Sequence, residues 1–194
     1  MTKQTITLND IAQIQLGKAF KKAVEDAGQS GDVNVIQIGD LNNGNYERPN
    51  KLISIKNEND ISRFFINQGD ILLPLRGNII RGVAINANYS KPVITSNQVA
   101  VISCKAEICE TYYLAWYLNS DEFFKYISKS NEGTNISKLS SSQLKKMPVK
   151  LPPIETQIYI SKIYKNWLYQ RSIHLELVER GEYLYNQVCK RILE

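Results

Sequence analysis

The sequence predicts an α+β protein: a mixed, largely antiparallel, β-rich domain with peripheral helices, followed by one long C-terminal α-helix. Three observations carry this. Short apolar runs bounded by Gly, Asn and Pro recur over the first hundred residues, as strands do. Helical spacing with caps appears near residues 111–146. From Leu151-Pro152-Pro153-Ile154-Glu155-Thr156-Gln157 to Glu194 only Gly181 breaks a helical run of about 40 residues, roughly 60 Å at helical rise. A helix that long exceeds the face that a small domain can cover, so it calls for a partner. The boundary divides the chain into 1–152 and 153–194.

Taken in order, Thr7-Leu8-Asn9-Asp10 reads as a helical turn capped by Thr7, with Asp10 near its positive end. Ile11, Ile14 and Leu16 lead as a strand into Gly17 and a basic loop holding Lys18, Lys21 and Lys22. Residues 34–41 alternate as a half-buried strand, and Asn42-Asn43-Gly44-Asn45 has turn chemistry. Tyr46 to Asn59, with Arg48, Lys51 and Lys56, reads as an exposed excursion.

The densest strand signal is Phe64-Phe65-Ile66 and then Gly69 to Gly77. A second run, Ile79 to Ile85, follows Gly77-Asn78, which suggests a tight hairpin with Arg76 and Arg81 on one edge. Pro74 implies an edge or bulge, and Gln98–Ser103 is a third strand. Residues 111–118 and 121–130 read as helices with aromatic core faces. Ser140 and Gln143 form a capping box, and Met147–Leu151 alternates as a final strand. Along the last helix Ile160, Ile163, Trp167, Leu177, Leu184 and Val188 keep alternating three- and four-residue steps once Gln170 and His174 are admitted. That is a coiled-coil seam, interrupted at Gly181.

Composition narrows the function. The chain of 194 residues is 43% hydrophobic and 22% charged, with net charge +5, an excess that leans toward an anionic partner without requiring one. Cys104, Cys109 and Cys189 lack metal-site spacing, and His174 is the single histidine, so neither a zinc site nor a disulfide framework is expected. No signal-like or membrane-spanning run occurs, so the expectation is a cytoplasmic protein without a membrane partner. No catalytic triad, P-loop or dinucleotide motif is present, nor an Asn-Pro-Pro-Tyr or Asp-Pro-Pro-Tyr motif, so no cofactor is expected and S-adenosylmethionine should not bind this chain. Asp70 has no Glu-x-Lys at short range to make a nuclease site.

The order Leu8-Asn9-Asp10-Ile11-Ala12, Gly69-Asp70-Ile71-Leu72 with Arg76-Gly77, Tyr113-Leu114 to Leu118-Asn119-Ser120, a Gly-Thr-Asn-Ile loop, and Leu-Pro-Pro-x-x-x-Gln opening a long helix resembles the specificity subunit of type I restriction-modification systems. Nearly the whole chain is covered. The resemblance implies a target recognition domain that reads double-stranded DNA, and a helix that pairs as an antiparallel coiled coil and acts as a ruler. A full subunit has two such domains and two helices; this chain holds one of each and so resembles half of one. Self-pairing through Ile160, Ile163, Trp167, His174, Leu177, Leu184 and Val188 then implies a homodimer reading a bipartite, symmetric target. Methyltransferase subunits, with or without a restriction subunit, would dock on it and hold the catalysis.

Arginine and asparagine read base edges, while lysine mostly meets phosphates. The candidates for bases or grooves are Arg48, Arg76, Asn78 and Arg81. Those for phosphates are Lys18, Lys21, Lys22, Lys51, Lys91 and Lys138, with Thr134 and Asn135 as loop donors. Two other readings fit the same residues: a non-reading interaction protein that pairs with a larger specificity subunit or its methyltransferase, and an enzyme acting on nucleic acid, which the absent motifs disfavour.

Overall fold

Two neighbouring strands, β6 (Ile71–Pro74) and β10 (Val99–Cys104), alternate side chains between two cores, and this period-two pattern sets the layers. Ile71, Leu73, Ala100 and Ile102 face one core; Leu72, Val99 and Val101 face the other. The computed structural model describes residues 6–42, 45–46, 52–56, 60–77, 80–87, 89–130 and 137–193.

The main sheet is antiparallel, in the order β1 (Ala12–Leu16), β10, β6, β8 (Val83–Ala84). Its first face is covered by α1 (Leu8–Ile11), α2 (Thr111–Tyr117), α3 (Asp121–Ser130) and α4 (Ser141–Lys145). Tyr113, Leu114, Leu118, Phe123 and Leu144 fill that core, which bears out the core reading of the aromatic helices. Against the other face lies a mixed sheet in the order β5 (Ile53–Ile55), β2 (Val33–Ile36), β9 (Val93–Thr95), with β2 and β9 parallel. Ile36 and Val93 join the inter-sheet core, while Val33, Val35 and Ile94 form a third cluster with Ile61. The capping boxes Thr7/Asp10 and Ser140/Gln143 both form.

Four expectations are corrected. Phe64 ends a 3-10 turn, Ser62–Phe64, because the Asp60 carboxylate accepts from Ser62 N–H and starts a turn there. The excursion after Tyr46 returns to the sheet: β5 pairs with β2 and Ser54 is buried. Met147–Leu151 keeps its alternating burial but makes only the bridge Thr7↔Pro148, since the Met147 N–H is taken by the Leu144 carbonyl and α1 begins at Leu8. The hairpin around Gly77-Asn78 closes only at its far end, Ile71↔Ala84 and Leu72↔Val83. Leu75 is taken on both sides, its N–H by Gln98 and its carbonyl by Leu139 N–H, so β7 (Arg76–Gly77) pairs instead with β11 (Ser137–Lys138). Pro74 pairs with Val99 on one side only, since β8 reaches no further than Leu72, so its nitrogen faces a local edge as the sequence implies. In the polar stretch before the excursion, β3 (Leu41–Asn42) pairs with β4 (Asn45–Tyr46) in the register of a two-residue connection.

Pro152-Pro153 opens α5 (Ile154–Leu193), 40 residues long. Its first turns dock on α2, and beyond Arg171 every described side chain except Gln187 is exposed. Among the described residues no helix is long and apolar enough to cross a membrane.

Candidate nucleic-acid interface and pairing helix

The antiparallel order brings the end of β1, the start of β10 and the end of β6 to one end of the main sheet, where Leu16 faces Ala100 and Ala100 faces Leu73. Three candidate cations gather there. Lys18 follows β1, bridges in parallel to Ser96, and carries its ammonium 5.7 Å from the Phe20 ring. Gly17 permits that close approach, because a Cβ on it would stand 2.3 Å from the Thr95 carbonyl oxygen. Arg76 and Lys138, 62 positions apart in sequence, lie directly opposite each other across the β7–β11 ribbon, and both are exposed. Like charges directly opposite destabilise a sheet pair. Lys21 and Lys22 are exposed on the loop that leaves Lys18.

Other candidates go elsewhere. Lys91 donates to the Gly31 carbonyl at 2.5 Å, holding a turn beside β2. Arg81 does not share an edge with Arg76: its guanidinium sits 5.3 Å from the Phe124 ring on α3, and its Nε is buried. Asp70 is a structural group, accepting from Asn67 N–H at 2.7 Å and Ser103 Oγ at 2.6 Å. Arg48, Lys51, Asn78, Thr134 and Asn135 lie outside the described residues, the last three next to the β7–β11 ribbon in sequence.

At the opposite end of β10 the long helix is locked to the domain. Gln157, 1% exposed, accepts from Glu110 N–H at 3.0 Å and donates to the carbonyls of Ile108 at 3.1 Å and Pro152 at 2.9 Å. Glu110 caps α2 through Tyr112 N–H and Tyr113 N–H and also accepts from Ser161 Oγ, which is buried. Lys165 Nζ lies 4.1 Å from the Tyr112 ring. The sequence reading missed this junction, although Gln157 stands at the end of the Leu-Pro-Pro-x-x-x-Gln segment. A glutamine four residues after a helix-opening proline, with one acceptor and two donors, was the available signal.

Ile160 packs partly against the domain's own first core. The remaining seam side chains are solvent-facing in the single chain, from 48% exposed at Val188 to 64% at Leu184, with Ile163, Trp167 and Leu177 between. His174 is exposed, and a Cβ on Gly181 would meet nothing within 4 Å. A row of large apolar side chains on an isolated helix marks an interaction surface.

A family model described as the type I restriction modification DNA specificity domain matches residues 2–177. The chain belongs to this family. The HsdS subunit from Thermoanaerobacter tengcongensis is a structural neighbour at 15% identity and TM-score 0.59, with 86% of this chain and 37% of that chain covered. A structure described as underlying complex assembly and conformational transition of the type I R-M system gives TM-score 0.59 at 14% identity, covering 86% of this chain and 38% of that one. The S subunit from M. genitalium gives 0.51 at 14% identity, covering 82% and 37%. The specificity-domain chain thus spans little more than a third of these solved chains, and at such identity the likeness shows the α+β fold with its long C-terminal helix.

Proposed function

We propose that this chain is a half specificity subunit of a type I restriction-modification complex. Residues 1–152 form a target recognition domain that reads one half of a DNA site, and residues 153–194 pair antiparallel with a second copy. The homodimer then reads a bipartite, symmetric target and positions adenine methyltransferase subunits, with or without a restriction subunit, which carry out the chemistry. The observation that carries this reading is the division of labour along β10: cations gathered at one end of the sheet, and at the other a helix locked by Gln157 whose apolar seam beyond Ile160 is solvent-facing.

Lys18, Lys21, Lys22 and Lys138 meet phosphates, and Arg76 reaches a base edge or groove. Lys91 and Arg81, also candidates, are held by the Gly31 carbonyl and the Phe124 ring respectively. Binding to duplex DNA, measured by fluorescence anisotropy, is expected to weaken by about 10³- to 10⁵-fold between 50 and 200 mM salt if six to ten phosphate contacts form in the dimer. The paired substitution Arg76→Glu with Lys138→Glu should flatten that slope. A wild-type affinity that does not respond to salt is incompatible with DNA binding.

A further inference from the structure

Between α2 and α5 lies a cavity of about 260 Å³ lined by Arg81, Trp116, Asn119, Tyr164, Trp167 and Arg171, with no carboxylate in its wall. Two polar atoms of its lining residues, Arg81 Nε and Asn119 Oδ1, are buried and have no hydrogen-bond partner among the described residues. Asn119 is held in that orientation because its Nδ2 points to the carbonyls of Gly82 at 2.8 Å and Ala115 at 2.7 Å and to the Tyr164 hydroxyl at 3.1 Å. Trp116 and Trp167 stand partly exposed at its mouth. A cavity with two arginines and no carboxylate in its wall asks for a carboxylate.

The seam says where it comes from. Of the two-fold axes that its repeat permits, one between His174 and Leu177 sets Ile163 opposite Val188 and Trp167 opposite Leu184, all apolar. It also sets the two interruptions, Gln170 and Gly181, against each other, the glycine making room for the longer side chain. The domain-facing stripe of α5 (Gln157, Ser161, Tyr164, Leu168) lies about a third of a turn from the seam at roughly 100° per residue. In an antiparallel pair the same flank of both helices lies on the same side. The stretch beside the cavity therefore presents the partner's Val178, the partner's Glu182 and the partner's Tyr185, and Glu182 is the one carboxylate on that flank. Within one chain Arg171 and Glu182 form no ion pair among the described residues, whereas Arg180 is matched to Glu176.

We propose that this cavity is the receiving site for the carboxylate of the partner subunit's Glu182, bound by Arg81 and Arg171. The site occurs twice per dimer by symmetry, fixes the helix register, and thereby fixes the separation of the two domains. This rests on the homodimer reading. It gives Gly181 and Arg81 roles that a plain apolar seam and a base contact do not.

The test is sedimentation equilibrium on the full chain: wild type, Arg171→Glu, Glu182→Arg and the double exchange. Each single change should raise the dimer dissociation constant by at least about tenfold, and the double exchange should return it to within about threefold of wild type. Glu182 is exposed, so its variant folds irrespective of the cavity; should Arg171→Glu not fold, Arg171→Ala combined with Glu182→Gln replaces the exchange and must show non-additive losses. A wild-type dimer indifferent to these charges, or a double exchange no better than the worse single, overturns the cavity assignment alone. A wild-type chain that stays monomeric overturns the homodimer reading and this one with it.

Discussion

Replacing Gln157 by alanine removes three hydrogen bonds at the junction of domain and helix: one accepted from Glu110 N–H and two donated to Ile108 and Pro152. A hydrogen bond of this kind contributes a net of about 1 kcal/mol. The expected loss is about 3 kcal/mol, which lowers Tm by roughly 6–12 °C for a chain of this size. Gln157→Glu should cost at least as much: it keeps the acceptor, loses both donors, and sets a second carboxylate near Glu110. Urea titration followed by tryptophan fluorescence reads both variants. Amide exchange at Glu110 should quicken in parallel, because its N–H loses its acceptor. A Gln157→Ala variant within about 0.5 kcal/mol of wild type, the range of ordinary surface changes, would refute the lock.

Leu184→Asp or Trp167→Asp should dissociate the dimer while leaving the domain's thermal transition in place, as read by light scattering and circular dichroism; an unchanged mass would remove the coiled-coil seam. Asp26 is held below the ordinary aspartate value of 3.8 by the Ser54 N–H first and the Gly28 N–H second. Its folded-state value is depressed, so its contribution is present above 3.8 and is lost as pH falls through the lowered value. Asp26→Asn should therefore melt below wild type at neutral pH, with the gap closing as pH drops below 3.8; a gap constant with pH would contradict this.

Much of the fold was written in local chemistry. Pro152-Pro153 announces α5 because proline suits a helix opening, and Thr7/Asp10 and Ser140/Gln143 announce their caps because both partners are three residues apart. The apolar runs at β6 and β10 read as strands because each strand is buried on both faces. What depends on distant pairing was not legible. Arg76 finds Lys138 across the ribbon, Arg81 finds Phe124, and β5 finds β2, and no local spacing encodes any of these. Phe64-Phe65 read as a strand from apolarity alone, while the turn signal, Asp60 two residues before Ser62, lay outside the run. The helix seam was legible as a period, but the share of it consumed by the domain, Ile160 above all, depends on where α2 lies.

The central claim is that two copies of one reading domain, held at a fixed distance by α5, select a symmetric split target. Mapping methylated adenines across a genome with this gene present and absent tests it most directly. The expected motif disappears with the gene and consists of two inverted copies of one short half-site around a spacer of constant length. Two unlike half-sites, a spacer that varies, or an unchanged methylation map would contradict it.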